Sequence, residues 1–346
     1  MAPESLTDRE LRVLEAVIQM YVETAEPAGS QSVARRYGLG VSSATVRAVM
    51  AELEEKGLLF HPHTSAGRIP TDRGYRLYVD GLMRLQPPSD HHRETIRSEL
   101  GQSRTAIAEV LHRAAQVLGV LTEELGVAVA PALDDIVLER LAIVPVASER
   151  LLLVLELRSG MVRTIYVQIP HATIAAPTLD EVARVLNERL AGRPLREIRE
   201  TLPERLRDAS DDGGARELLN IFVTEGDELF AVERGDEAGV VLSGAGRLAE
   251  QPEFTDAARM RELLAITERR DLLRQSLHAR REQGLRITIG GEHGDPRLAG
   301  FTLVTSSYQV GELRGVIGVM GPTRMPYDKV IGLVDHTSRL VEGLLQ

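Results

Sequence analysis

The chain has 346 residues, no cysteine, no tryptophan and only 3% aromatic residues, which excludes disulfides, thiolate metal sites, a cysteine nucleophile and broad stacking platforms for single-stranded nucleic acid. Its formal net charge of −10 argues at first against a nucleic-acid partner. The charge is unevenly placed, however: residues 1–29 hold two arginines against six acids, a net −4, whereas residues 30–84 hold eight basic residues against five acidic ones, a net +3. The length predicts two or three domains. No apolar run approaches the roughly 18 residues of a membrane span, and the polar start is unlike a signal peptide, so the expected compartment is the cytoplasm.

The first element reads as a helix, because Leu11, Leu14, Ile18 and Tyr21 recur at steps of three and four behind a Thr7/Glu10 capping box. Glu26-Pro27 stops it. Ser30 is placed to cap a short second helix that runs to Tyr37, and Gly38-Leu39-Gly40 turns the chain. Ser42 or Ser43 caps a third helix with Val46, Val49, Met50 and Leu53 as its buried stripe and Gly57 at its end. Short strands near 58–61 and 68–70 flank a loop at 62–67. Thr71 then caps a helix with Tyr75, Leu77, Tyr78, Leu82 and Leu85 as candidate core. Three helices followed by a small hairpin predict a winged helix-turn-helix over 1–85.

Pro87-Pro88 stiffens a linker at 86–91. One long amphipathic helix is expected over 92–125, with a seam of Ile96, Leu100, Ile107, Leu111, Ala114, Leu118, Leu121 and Leu125. Strands follow at 136–146, 151–157 and 162–169, then a helix at 178–190. After a mixed region come a helix at 256–281, strands at 285–289, 299–308 and 312–320, and a closing helix at 327–344. The expected fold class is α+β. An antiparallel-sheet domain in two parts, 92–193 and 256–346, is interrupted by an inserted subdomain at 194–255.

The third helix carries the most informative surface. Opposite its apolar stripe lie Ala44, Ala48 and Ala51, flanked by Thr45 and Arg47, while Glu52, Glu54, Glu55 and Lys56 gather at its far end. Small side chains let a helix sit deep in a major groove, and an arginine there reads guanine or clamps a phosphate. The free N–H groups near Ser42 and Ser43 favour a phosphate, and the distant acids require entry by the N-terminus. His63, Ser65 and Arg68 suit a wing tip, with Arg68 as its long cation and a narrow minor groove as its target. Ser30 and Gln31, opening the second helix, complete the candidate contacts to double-stranded DNA.

Other chemistry is thin. His61-x-His63 and His91-His92 lack a carboxylate partner nearby, and Gly244-Ala245-Gly246-Arg247 lacks the residues of a phosphate loop, so neither metal nor cofactor is expected. No nucleophile elbow or paired catalytic carboxylates are apparent, and an enzyme is not expected. The stretch from Gly290 to Pro296 reads as a connection between strands, with a ligand or chaperone-contact loop as the alternative.

Four motifs carry a family resemblance. VSSATVRAVMAELEEKGLL at 41–59, HTSAGRIPTDRGYRLYVD at 63–80, PEFTD at 252–256 and GVIGVMGPTRMPYDKVIGLV at 315–334 resemble the HrcA family of bacterial heat-inducible transcription repressors. The resemblance implies a winged-helix domain, a GAF-like domain and an inserted dimerisation subdomain. It further implies a homodimer on an inverted-repeat operator upstream of chaperone operons, kept active by the GroEL chaperonin. The alternative reading is a winged-helix regulator whose GAF-like domain senses a small-molecule effector.

Overall fold

A computed structural model describes residues 6–62, 67–101, 107–131, 136–147, 149–158, 162–169, 175–207, 213–230, 240–281, 284–311 and 313–345. The chain forms two units, one made of Met1–Val129, Val240–Tyr308 and Val316–Leu345, the other of Ala130–Gly239 and Gln309–Gly315.

The first unit begins with a small headpiece. Helix α1 (Asp8–Thr24) starts with the expected box: Glu10 N–H donates to Thr7 Oγ1 at 3.3 Å, and Thr7 N–H donates back to the Glu10 carboxylate at 2.8 Å. Its inner face buries Val13, Leu14, Val17 and Ile18. Helix α2 (Ser30–Arg36) departs from expectation, because Gly29 is its cap residue and Ser30 already lies in the first turn. Its entry is held by the backbone instead, through paired hydrogen bonds between Ala28 and Arg68 at 2.8 and 3.0 Å. Helix α3 (Ser43–Glu55) ends at Lys56 with Gly57 at φ +69, the left-handed conformation that glycine tolerates. Strands β1 (Leu59–Phe60) and β2 (Ile69–Pro70) pair antiparallel, Leu59 opposite Pro70. Thr71 caps α4 (Asp72–Leu77) by accepting from Gly74 N–H at 3.1 Å, and the helix finishes in a wider turn over Tyr78–Leu82. Leu85 lies beyond that end and is 59% exposed, so it is not core.

The rest of the chain runs through α5 (Asp90–Gly101), α6 (Ile107–Thr122) and β3 (Leu125–Val129). It continues as β4 (Leu138–Ala147), β5 (Arg150–Leu157), β6 (Val162–Gln168), α7 (Ala176–Leu190), α8 (Leu195–Leu206) and α9 (Gly213–Leu229). It ends with β7 (Val240–Ser243), α10 (Ala245–Ala249), α11 (Ala257–Glu268), α12 (Arg270–His278), β8 (Arg286–Ile289), β9 (Phe301–Val310), β10 (Leu313–Pro322) and α13 (Tyr327–Leu345).

The single helix expected over 92–125 is therefore two helices, α5 and α6, packed on each other, and its last seam residue, Leu125, opens a strand. Strand β3 sits inside a five-stranded sheet of order β7-β3-β10-β9-β8 and pairs antiparallel on both sides, Val127 opposite Leu242 and Val129 opposite Val316. One face of this sheet buries Val127, Val129, Phe301, Leu303 and Met320 against Phe254, Leu263, Ile266 and Leu273. On the other face α6 approaches β3 so closely that a Cβ on Gly126 would lie 1.9 Å from the Ala115 carbonyl oxygen. Helix α13 packs beside α6, and Ser338 donates to the Ser307 carbonyl of β9 at 2.8 Å.

The second unit has its own three-stranded antiparallel sheet, β4-β5-β6. Its inner face buries Leu141, Leu151, Leu153, Leu155 and Val167 against Leu186 of α7, Leu202 of α8 and Phe222 of α9. Its outer face aligns Val144, Leu152 and Tyr166 across the three strands, with Val144 and Tyr166 exposed. The strands expected at 136–169 thus do not share a sheet with those at 285–320. The division falls near 130 and 240 rather than at 194 and 255, because β7 pairs with β3 and draws the segment after it into the first sheet. The whole is a mixture of helix and antiparallel strand, in agreement with an α+β class.

Candidate nucleic-acid interface

Helix α3 is built to show one face. Val46, Val49, Met50 and Leu53 are buried, and the helix rests on α1 and α2. Ser42, not Ser43, is its cap: Ser42 Oγ accepts from Thr45 N–H at 3.1 Å and also hydrogen-bonds Thr45 Oγ1 at 3.0 Å. Thr45 is half-buried against this cap. Ser42, Ser43, Ala44, Arg47 and Ala48 are exposed together, a patch of short side chains around one cation at the helix N-terminus. The orphan N–H groups and the positive end of the helix dipole lie in the same patch.

A buried ion pair fixes α3 on α1. Lys56 Nζ donates to Glu10 Oε1 at 2.6 Å, and Thr7 Oγ1 donates to the same carboxylate at 2.9 Å. The Lys56 hydrogen bond, helped by the Thr7 backbone, holds the Glu10 carboxyl below its ordinary value against the cost of burial.

The remaining expected residues are less concentrated. In the first turn of α2, Ser30 is half-buried and Gln31 is exposed. His63 and Ser65 lie outside the described residues. Arg68 stands at the base of the hairpin and ion-pairs with Glu54 of α3 at 2.7 Å, its side chain only 20% exposed. A Cβ on Gly67 would strike the Ala28 carbonyl at 2.3 Å, so the strand is pressed on the α1–α2 junction and carries Arg68 back towards α3. Arg68 therefore reaches a phosphate only by exchanging Glu54 for it. Arg35 is exposed in the last turn of α2, and its signal in the sequence is the local excess of positive charge.

Among the described residues no group of three or more histidines, cysteines or acids could hold a metal ion, and no helix is long and apolar enough to cross a membrane.

Comparison with known proteins gives this surface its context. Residues 108–331 match the family model of the HrcA protein C-terminal domain. The chain is 38% identical over 346 residues to the heat-inducible transcription repressor HrcA of Chlorobium phaeobacteroides strain BS1, covering 96% of each protein. It is 36% identical over 347 residues to the repressor of the same name from Geobacter sulfurreducens, covering 99% of this chain and 98% of that one. A crystal structure of a hypothetical protein at 2.2 Å resolution aligns over 99% of each chain with a TM-score of 0.63 and 22% identity, a likeness of fold. Matched along nearly its whole length, the chain belongs to the HrcA family of heat-inducible transcription repressors, DNA-binding regulators of the heat-shock response.

Proposed function

We propose that the headpiece is a winged helix whose α3 enters the major groove, and that two copies of the chain bind an inverted-repeat operator of chaperone genes. The observation that carries this reading is the exposed patch of Ser42, Ser43, Ala44, Arg47 and Ala48 on a helix whose other face is locked in a core. Arg47 then supplies the long-range contact, while the alanines allow close approach to thymine methyls. Arg35 and the hairpin contact the backbone on either side. The Glu54–Arg68 pair keeps one of the acids at the far end of α3 neutralised until DNA is bound.

In this reading the five-stranded unit is the GAF-like body and the 130–239 unit carries the dimer contact. The bare outer face of β4-β5-β6 supports that assignment, since Val144, Val146, Val162 and Tyr166 are all exposed on a three-stranded sheet. An uncovered apolar face is also what a chaperonin retains until a second copy covers it. The active fraction of repressor then follows chaperonin supply. The alternative, a small-molecule effector in the GAF-like body, has less support, because the open cleft of about 570 Å³ is lined by Gln19, Val22, Tyr78, Pro88, His92 and Lys329, beside the headpiece and linker.

The test is Arg47→Ala, measured by fluorescence anisotropy on an inverted repeat selected from random-sequence DNA by the wild-type protein. A loss of about 1–3 kcal/mol in operator binding is expected with the melting temperature unchanged. Wild-type affinity in that variant would remove α3 from the interface.

A further inference from the structure

Residues 290–296 do connect β8 to β9, as two short turns. They also dock on α4. Gly291 N–H donates to Asp72 Oδ2 at 2.8 Å. Arg76 Nε donates to Glu292 Oε1 at 2.7 Å, and Arg76 Nη2 donates to the Ile287 carbonyl at 2.8 Å. Glu292 is braced in turn by Ile289 N–H at 2.9 Å. Gly290 has φ +52, and a Cβ there would lie 2.1 Å from Asp72 Oδ2, so the loop must be glycine at that point to seat the carboxylate.

A second tie lies at another corner of the headpiece. Arg324 Nη1 donates to the Val22 carbonyl near the end of α1 at 2.7 Å, and the same guanidinium pairs with Glu253. These two polar ties flank a buried contact, Tyr75 of α4 against Tyr327 of α13 with ring centroids 5.7 Å apart, and together they prevent rotation as well as departure. The α4 tie is passed on to α3, because Thr71 Oγ1 donates to the Gly57 carbonyl at 2.8 Å and Thr71 N–H donates to Leu58 at 3.1 Å. Neither tie uses the exposed face of α3. Leu14, Ile18, Val46 and Leu53 are buried within the headpiece, and half-site binding reports whether it stays folded once released.

Each base pair added between two half-sites shifts one headpiece target by about 3.4 Å and turns it by about 35°. A headpiece on a slack tether follows such a change, and one fixed at two points does not. We infer that Asp72 and Arg76 are positioning residues which, through the 290–296 loop, set the half-site spacing that the repressor accepts. This rests on the reading of a dimer on an inverted repeat.

The experiment compares wild type, the triple variant Asp72→Ala/Arg76→Ala/Arg324→Ala, which removes both ties, and Gly290→Ala/Arg324→Ala, which releases both from the body side without touching the headpiece. Asp72→Asn keeps a side-chain acceptor for Gly291 and serves as the conservative control. Each full-length protein is titrated with a fluorescent inverted repeat selected by wild type, with copies one base pair shorter, one longer and two longer, and with a single half-site. Wild type and Asp72→Asn should lose about tenfold or more at each altered spacing. The two unlatched proteins should bind the native repeat about tenfold more weakly, through a lower effective concentration of the second headpiece, and lose under about threefold on changing the spacer. Half-site affinity should stay within about twofold in all four proteins, which also reports a folded headpiece. Unlatched variants that discriminate spacers as sharply as wild type, with half-site binding intact, overturn the inference. A wild-type protein that ignores spacing, or binds one half-site as tightly as two, instead brings down the inverted-repeat reading and this inference with it.

Discussion

Replacing Lys56 with methionine tests how α3 is held. The Glu10 carboxylate is 4% exposed and accepts three hydrogen bonds, from Thr7 N–H at 2.8 Å, Thr7 Oγ1 at 2.9 Å and Lys56 Nζ at 2.6 Å. Lys56→Met removes the one cationic donor and leaves a buried anion with the other two. Stripping one partner from a fully buried pair costs about 3–5 kcal/mol, whereas an exposed pair is worth at most about 1 kcal/mol. The Lys56 side chain is 28% exposed, so water reaches part of the vacated space and the expected cost is roughly 2–3 kcal/mol. A chain of two units is not expected to unfold in one step, so a global melt would mix events. Native-state hydrogen exchange of the α1 and α3 amides reads the local opening directly. Adding Glu10→Gln to Lys56→Met should return more than half of the loss, because the uncompensated charge is then gone. The pH dependence has a definite sign. The Glu10 carboxyl titrates lower in the fold than in the unfolded chain, so its contribution is present above the unfolded value of about 4.3 and fades as pH falls through the lowered native value. Lys56→Met should make that acid sensitivity shallower. A cost below about 1 kcal/mol, with no recovery from Glu10→Gln, would refute the view that this pair anchors α3.

Gly126→Ala should destabilise the body by roughly 1–3 kcal/mol in native-state hydrogen exchange of the α6 and β3 amides, since its Cβ would lie 1.9 Å from the Ala115 carbonyl oxygen; a neutral result would mean that α6 slides freely on β3. Glu124 is 1% exposed, and burial pushes its carboxyl up to about 8 against the opposing Gln251 hydrogen bond and Arg324. The fold therefore holds a proton that the unfolded chain releases, and stability should fall as pH rises from about 4.3 to 8. Glu124→Gln should abolish that fall in native-state hydrogen exchange of the β3 amides on either side of the window, and an unchanged slope would count against it. Tyr166→Asp, on the exposed face of β6, should shift the monomer–dimer equilibrium at least about tenfold towards monomer in sedimentation experiments, with the melting temperature of the monomer unchanged.

The headpiece was legible because its signals are local. Thr7, Thr71 and Gly57 each act within a turn of where they sit, and the stripe of Val46, Val49, Met50 and Leu53 repeats at helical spacing. Strand β3 was not, because Leu125–Val129 is buried at every position and two-sided burial erases the alternation that marks a strand. The run then continued the preceding helical seam without a break. Strand β7 is only Val240–Ser243, too short to announce itself, and its pairing with β3 decides where the chain divides. Without that pairing, six strands of similar pattern had no mark to sort them into two sheets. On the interface, the exposed face of α3 followed from its periodicity. The retreat of Arg68 to Glu54 did not, since it depends on the close approach of Gly67 to Ala28. The glycines at 290 and 291 were visible as an oddity, but their partner Asp72 lies over two hundred residues earlier.

The placement of β3 also fixes an order of events during synthesis. The strand leaves the ribosome early, yet Val129 finds its partner Val316 on one side and Val240 on the other. At about 5–20 residues per second, the wait from β3 to the end of β10 is on the order of 10–40 s. Both hydrogen-bonding edges of this fully apolar strand stay open until β7 emerges, on the order of 6–23 s, and the edge facing β10 until the end of the interval, while the headpiece, whose contacts are mostly local, is already free to fold. A nascent chain therefore passes through a stage that has a complete headpiece and an unfinished body. A variant stalled or truncated before β10 keeps that state, with a headpiece complete in sequence and a body still lacking the strand that joins β3 to β9.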